Sequence, residues 1–201
     1  MDSEGIETKA DFFEKDKETN AEISKYLGSG EQTQITPEMS EIAKGVLGNA
    51  VEKSKTIIGM MSVRLRNEDF NPDIFRKRTA EQIIKDGFVT GCTDLAVVFV
   101  AAARACGLPA KYVETVDEEW LKSDSPDIVG HQFAQVYDED RKDWFWVDPT
   151  WGKVDSANPK NEGRVVYKEG LDSWDVGFID GKSMETALYT FRENWKRQQR
   201  L

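Results

Sequence analysis

The sequence predicts an α+β domain in which a helix that opens on a cysteine packs against an antiparallel sheet. Three observations lead there. Up to Gly107 the apolar residues recur at helical spacing, as in Leu95, Phe99, Ala102 and Cys106. Beyond Pro109 the pattern changes to short β-branched and aromatic runs over 110–116, 132–137 and 144–147. At Gly91-Cys92-Thr93-Asp94 a thiol stands where a glycine-broken loop enters an apolar helix.

Composition bounds what such a domain does. With 201 residues, 39% of them apolar and six of them Trp, the chain suits one packed core. No apolar run approaches the ~18 residues of a membrane span, and Met1-Asp2-Ser3-Glu4-Gly5 lacks the character of a secretory signal. A cytoplasmic protein without a membrane partner is expected. The net charge of −10 repels phosphate backbones, and no basic stripe offsets it, so nucleic acid is not an expected partner either. A helix joining Cys92 to Cys106 would hold them about 21 Å apart at ~1.5 Å per residue, far beyond disulfide reach, so both are expected as thiols.

In chain order, residues 1–34 read as an acidic arm, flexible or loosely docked. Phe12, Phe13, Ile23, Tyr26 and Leu27 hint at a short helix, and residues 28–34 at a linker. The domain proper is expected over 35–201. Thr36-Pro37-Glu38 opens a helix that ends near Gly48, with Met39, Ile42 or Ala43, and Val46 on its apolar face. A second helix over 50–66 carries Val51, Lys55, Ile58, Met61 and Leu65 along one side, with Gly59 a weak point or a place of close approach. Thr79-Ala80-Glu81-Gln82 has the form of a capping box for a short helix ending at Gly87. The alternative for Gln82 is a side-chain donor to an oxyanion.

The helix from Cys92 to Cys106 stops at Gly107, and Pro109 prevents its continuation. Residues 117–130 form a long polar connection wide enough to rim a cleft. The loop 138–141 then joins two strands as a hairpin, pairing Tyr137 with Lys142 and setting His131 opposite Asp148 on the same face. A further strand is expected over 164–167. A closing helix over 183–199 carries Met184, Leu188, Phe191 and Trp195 on one stripe, with basic residues near its end to complement the dipole.

A thiol attacks carbonyls as thiolate, and helix N-termini and neighbouring imidazolium ions favour that form. Cys92 would be the nucleophile, His131, the only histidine, the base, and Asp148 the orienter of the ring. Each residue has a plainer reading. Cysteines among apolar residues are usually core filler, which is the assignment for Cys106. A lone histidine is commonly structural, and Asp148 before Pro149 could simply start a turn. Trp151 and Trp174 are candidates to line the cleft beside Gly130, with structural packing the competing role.

The segments 91–96, 103–113, 130–137 and 144–150, from Gly-Cys-Thr-Asp-Leu-Ala through Gly-His-Gln-Phe to Trp-Val-Asp-Pro-Thr, resemble the core of the transglutaminase-like superfamily. The resemblance covers about residues 78–152. It implies a papain-like α+β fold with Cys92, His131 and Asp148 in the roles just described. It further implies a thiol hydrolase of amide bonds, a peptidase or amidase, acting on a protein or peptide through an acyl-enzyme. The alternatives are a glutamine acyltransferase or deamidase, and a binding module that keeps the fold without turnover. No cofactor or metal is implied, because the sequence shows neither an EF-hand-type calcium loop nor paired CxxC zinc motifs.

Overall fold

The computed structural model describes residues 20–199, so the expected helix around Phe12 and Phe13 lies outside the described residues. Residues 20–25 are helical. Then come α1 (Pro37–Ala43), α2 (Ala50–Arg64), β1 (Arg66–Asn67), α3 (Ala80–Asp86), β2 (Phe88–Val89) and α4 (Cys92–Ala105). The second half holds β3 (Ala110–Asp117), α5 (Glu118–Lys122), β4 (Gly130–Asp138), β5 (Asp143–Asp148), β6 (Lys153–Ser156), β7 (Arg164–Gly170) and α6 (Gly181–Gln198). Five strands form one antiparallel sheet in the order β6-β5-β4-β3-β7, while β1 and β2 make a separate parallel pair.

Local chemistry explains the helix ends. Thr36 accepts the Met39 amide at the start of α1, and Asn49 and Glu52 cap α2 reciprocally. That box restarts the chain at Ala50, so α1 stops at Ala43 instead of reaching Gly48. Thr79 and Gln82 form the expected capping box at 2.8 and 3.3 Å, which commits Gln82 to its own helix end. Gly87 and Gly107 take the left-handed conformation, with φ of 72° and 76°, where a Cβ would be strained.

Two helical expectations need correction, and one of the two alternatives for Gly59 is removed. The buried line of α2 is Ala50, Ser54, Ile57 and Met61, with Lys55 exposed. Ala50 and Ser54 are small side chains on this buried face, so the face is set by size as much as by hydropathy. Gly59 faces open space and makes no close approach. Helix α4 is buried almost all round, from Thr93 to Arg104, not on a single face. It packs on β3 and β4 on one side and on α1, α2 and α3 on the others.

The connection 117–130 begins as α5, whose Trp120 and Leu121 are buried where it meets α6. From α6, Arg192 donates to the Ser125 carbonyl at 2.7 Å and Lys196 to that of Ser123 at 2.6 Å. The basic end of the last helix thus holds this connection down, in addition to any effect on the dipole.

The expected linker is also more than a tether. Gln32 and Thr33 are buried, and Gln32 Nε2 donates to the carbonyls of Arg76 and Arg78 at 3.3 and 2.9 Å. Thr33 accepts from Arg104 at 2.8 Å. Burial pulls the Arg104 guanidinium down to about 10, yet it also bonds the Ala110 and Leu171 carbonyls. Ile23 and Tyr26 are buried too, with Tyr26 edge-on to Trp144 at 5.7 Å.

Candidate active site

Helix α4 begins on Cys92, so the thiol sits in the first turn, where backbone N–H groups have no intrahelical acceptor. The loop before it is held by Asp94. One Asp94 carboxylate oxygen accepts the Thr90 amide at 2.9 Å, the Thr90 hydroxyl at 3.0 Å and an Arg78 nitrogen at 2.5 Å. Arg78 also reaches Asp86 at 2.9 Å and lies over the Phe88 ring. Nearby, β1 pairs in parallel with β2, and Glu68 donates its amide to the Val89 carbonyl at 2.9 Å. This brings residues 68–72 beside Thr90, where they line an open pocket of about 530 Å³ with Arg66 and Phe88.

His131 and Asp148 come from adjacent strands. His131 Nε2 and Asp148 Oδ2 are 3.0 Å apart, and both residues are buried. The other Asp148 oxygen accepts the amides of Thr150 and Trp151 at 3.0 and 3.3 Å, so the turn after β5 fixes the carboxylate. Phe133 meets the imidazole edge-on at 4.8 Å. Cys92 is close enough to act on the ring electrostatically, and with Nε2 engaged by Asp148 the nitrogen left for the sulfur is Nδ1. Burial favours the neutral ring, but Asp148 and then Cys92 outweigh it and raise the His131 pKa from 6.5 to about 9. At neutral pH the ring is therefore an imidazolium held between a carboxylate and a sulfur.

The hairpin register differs from the one expected. Asp138 pairs with Asp143 and Ala134 with Val147, so the loop is 139–142. Asp148 then falls opposite Phe133, two residues along from His131. Side chains alternate with a period of two, so His131 and Asp148 keep a common face and meet diagonally.

The remaining predicted residues divide. Trp151 is 72% exposed, and its amide bond to Asp148 roots it next to the His–Asp pair. Gly130 opens β4 and is exposed; a Cβ there would meet only ordinary contacts. Trp174 instead donates its indole N–H to the Arg76 carbonyl at 2.6 Å, which ties it to the chain before α3 as a structural brace. Cys106 lies half-buried at the far end of α4, where burial pushes its thiol up. Among the described residues no cluster of His, Cys, Asp and Glu could hold a metal ion, and no helix is long and apolar enough to cross a membrane.

Sequence reasoning missed a buried polar chain under the site. Arg76 donates through both terminal nitrogens to Glu114 at 2.9 and 3.0 Å, with both side chains 1% exposed or less. Burial opposes the Arg76 charge, but Glu114 more than restores it. Tyr112, whose pKa burial and Glu114 raise well above 10.0, stays protonated and donates to Glu114 at 2.9 Å. Gln132 donates to the same carboxylate. A signal existed: in the run Tyr112-Val113-Glu114-Thr115-Val116, a carboxylate occupies a position of core-facing parity.

A sheet with a central helix that offers a cysteine to a strand-borne His–Asp pair defines the papain-like class of α+β proteins. Within that class, the chain belongs to the transglutaminase-like superfamily, whose core model matches residues 40–149, more than half of its length. It is similar in fold to a provisionally assigned cysteine protease from Cytophaga hutchinsonii, at 21% identity and a TM-score of 0.55. That match covers 77% of this chain and 48% of the other. A provisionally assigned protease from Parabacteroides distasonis matches at 14% identity and a TM-score of 0.47, over 77% of this chain and 30% of the other. The chain thus spans about half the length of the first and under a third of the second. No curated protein matches it in sequence.

Proposed function

We propose that the protein is a cytoplasmic thiol hydrolase of amide bonds, a peptidase or amidase, with Cys92 as nucleophile, His131 as acid and base, and Asp148 as orienter. The observation that carries this reading is the His131 ring, bonded to Asp148 through one nitrogen at 3.0 Å and near enough to Cys92 for the sulfur to raise its pKa. Membership of the transglutaminase-like superfamily supports the same roles.

The chemistry follows from that arrangement. The Cys92 thiolate attacks the amide carbonyl of a protein or peptide, forming a C–S bond and a tetrahedral oxyanion. The amide of Cys92, at the free end of α4, is available to donate to that oxygen. His131 gives its proton to the departing nitrogen as the C–N bond breaks, leaving a thioester. A water then loses its proton to His131 and attacks the thioester, and the carboxylic product leaves with the sulfur again anionic. Asp148 keeps the ring correctly turned throughout and stabilises its positive charge whenever His131 holds the second proton. Trp151, exposed beside the pair, forms a wall for the substrate chain, and Gly130 leaves the backbone next to His131 uncovered.

The test is incubation with a mixed peptide library, read by mass spectrometry with and without an added alkylamine, alongside iodoacetamide mapping. Cleavage, with label on Cys92 in preference to Cys106, is expected, and Cys92→Ala and His131→Ala should each abolish turnover. Amine incorporation exceeding hydrolysis would reassign the acceptor. Cleavage that survives either substitution ends the proposal.

A further inference from the structure

Thr93 directly follows Cys92 in the chain, and Gln132 directly follows His131. The Thr93 hydroxyl donates to Gln132 Oε1 at 3.1 Å, and both residues are buried, at 3% and 2% exposure. One hydrogen bond therefore joins the first turn of α4 to the first residues of β4, at the positions adjoining the thiol and the imidazole.

The orientation of that bond is dictated from below. A carboxamide can turn by 180° and exchange its donor and acceptor ends. Here the amino end faces Glu114, a carboxylate kept as an acceptor by the two-pronged Arg76 contact at 2.9 and 3.0 Å. Arg76 is in turn anchored on Ser173 at 2.7 Å. With Nε2 committed to Glu114, the carbonyl end must face Thr93, and the threonine must be the donor. Packing alone does not require this polarity, since a buried amide costs free energy unless each end finds a partner.

We infer that Thr93 and Gln132 are positioning residues, a strut locked in one sense by the Arg76–Glu114 pair, which sets the separation between the Cys92 sulfur and the His131 ring. The inference rests on the proposed roles of Cys92 and His131 and adds a cause for their spacing. Both strut residues are buried, so their action on the site runs through Cys92 and His131.

Thr93→Val keeps the shape and removes the donor, whereas Thr93→Ser keeps the donor. Because His131 is the only histidine, its NMR titration is followed without overlap and, with Asp148 unchanged, a shift between variants reads the sulfur–imidazole contact, while circular dichroism checks the fold of each variant. In Thr93→Val the His131 midpoint should fall below about 9 as the contact with Cys92 loosens, while Asp148 keeps it above the ordinary 6.5. Iodoacetamide alkylation of Cys92 at pH 7 should slow by about tenfold, the loss expected for one buried hydrogen bond. Thr93→Ser should restore both. A folded Thr93→Val protein with an unchanged midpoint and alkylation rate overturns the inference, as does equal loss in Thr93→Ser. Cys92→Ser supplies the control: if it leaves the His131 midpoint unmoved, the sulfur–imidazole contact itself is wrong, whereas a shift there without one in Thr93→Val sinks only the strut.

Discussion

Asp148→Asn separates the carboxylate's charge from its shape. The carboxamide oxygen of the variant can still accept the Thr150 and Trp151 amides now held at 3.0 and 3.3 Å, so the turn after β5 should persist. The loss falls on the 3.0 Å contact to His131 Nε2, where an amide is uncharged and its NH₂ end opposes a protonated ring. In the wild type, burial pulls the imidazole toward neutrality, and Asp148 is the leading contact that raises it to about 9. With that contact removed, burial, the largest influence, is opposed only by the sulfur, and the midpoint should return to roughly 6.5 or below. At pH 7 the charged fraction of the ring then drops from nearly all to about a quarter or less. The assay is the NMR titration of His131, paired with alkylation of Cys92 from pH 6 to 10. The wild-type alkylation rate should change as the pH passes about 9, and that inflection should move to near neutrality in Asp148→Asn. A midpoint still close to 9 in the variant would show that Asp148 does not hold the charge on the ring.

Two further outcomes concern stability. Arg76→Met leaves the Glu114 carboxylate unpaired in a fully buried site and should cost about 3–5 kcal/mol in urea unfolding, with the Arg76→Met, Glu114→Leu double variant recovering much of it; a single-variant cost below about 1 kcal/mol would mean the pair is hydrated or dispensable. The raised pKa of His131 favours the folded state in full below pH 6.5, and that contribution is lost as the pH rises through about 9. Urea midpoints should therefore fall over that interval in the wild type and lose this component in His131→Gln, and identical slopes in the two proteins would contradict the assignment.

Legibility in the sequence followed the range of the interaction. Capping boxes and glycine stops depend on residues three or four apart, and Thr79 with Gln82, Gly87 and Gly107 were all readable. The buried face of α2 was not, because Lys55 fits a helical stripe by position while Ala50 and Ser54, too small to draw notice, are the residues that are buried. Helix α5 was hidden because a five-residue helix gives almost no periodic signal, although its buried Trp120-Leu121 pair was visible in the polar connection. Arg76 and Arg104 carried no signal of burial, and Gln32 fell in a stretch read as a linker. Their partners lie far away in sequence, Arg76 with Glu114 and Ser173, Gln32 with Asp172, and Arg104 with Thr33, so no local pattern announces them.

The hairpin shows why the proposed site survived an error in register. The expected loop, 138–141, differs from the observed 139–142 by one residue at each end, which slides the pairing by two positions. A slide of one would have turned Asp148 away from His131, because alternate residues of a strand point to opposite faces. A slide of two preserves the face and converts a direct pair into a diagonal one, within reach for an imidazole and a carboxylate because both side chains extend along the sheet. Ala134, Val136, Phe145 and Val147 must face the helix core, and that demand fixes parity in both strands whatever the turn does. The meeting of His131 with Asp148 therefore follows from the apolar alternation on the opposite face of the sheet, and the loop chemistry only chooses between pairings that already share it.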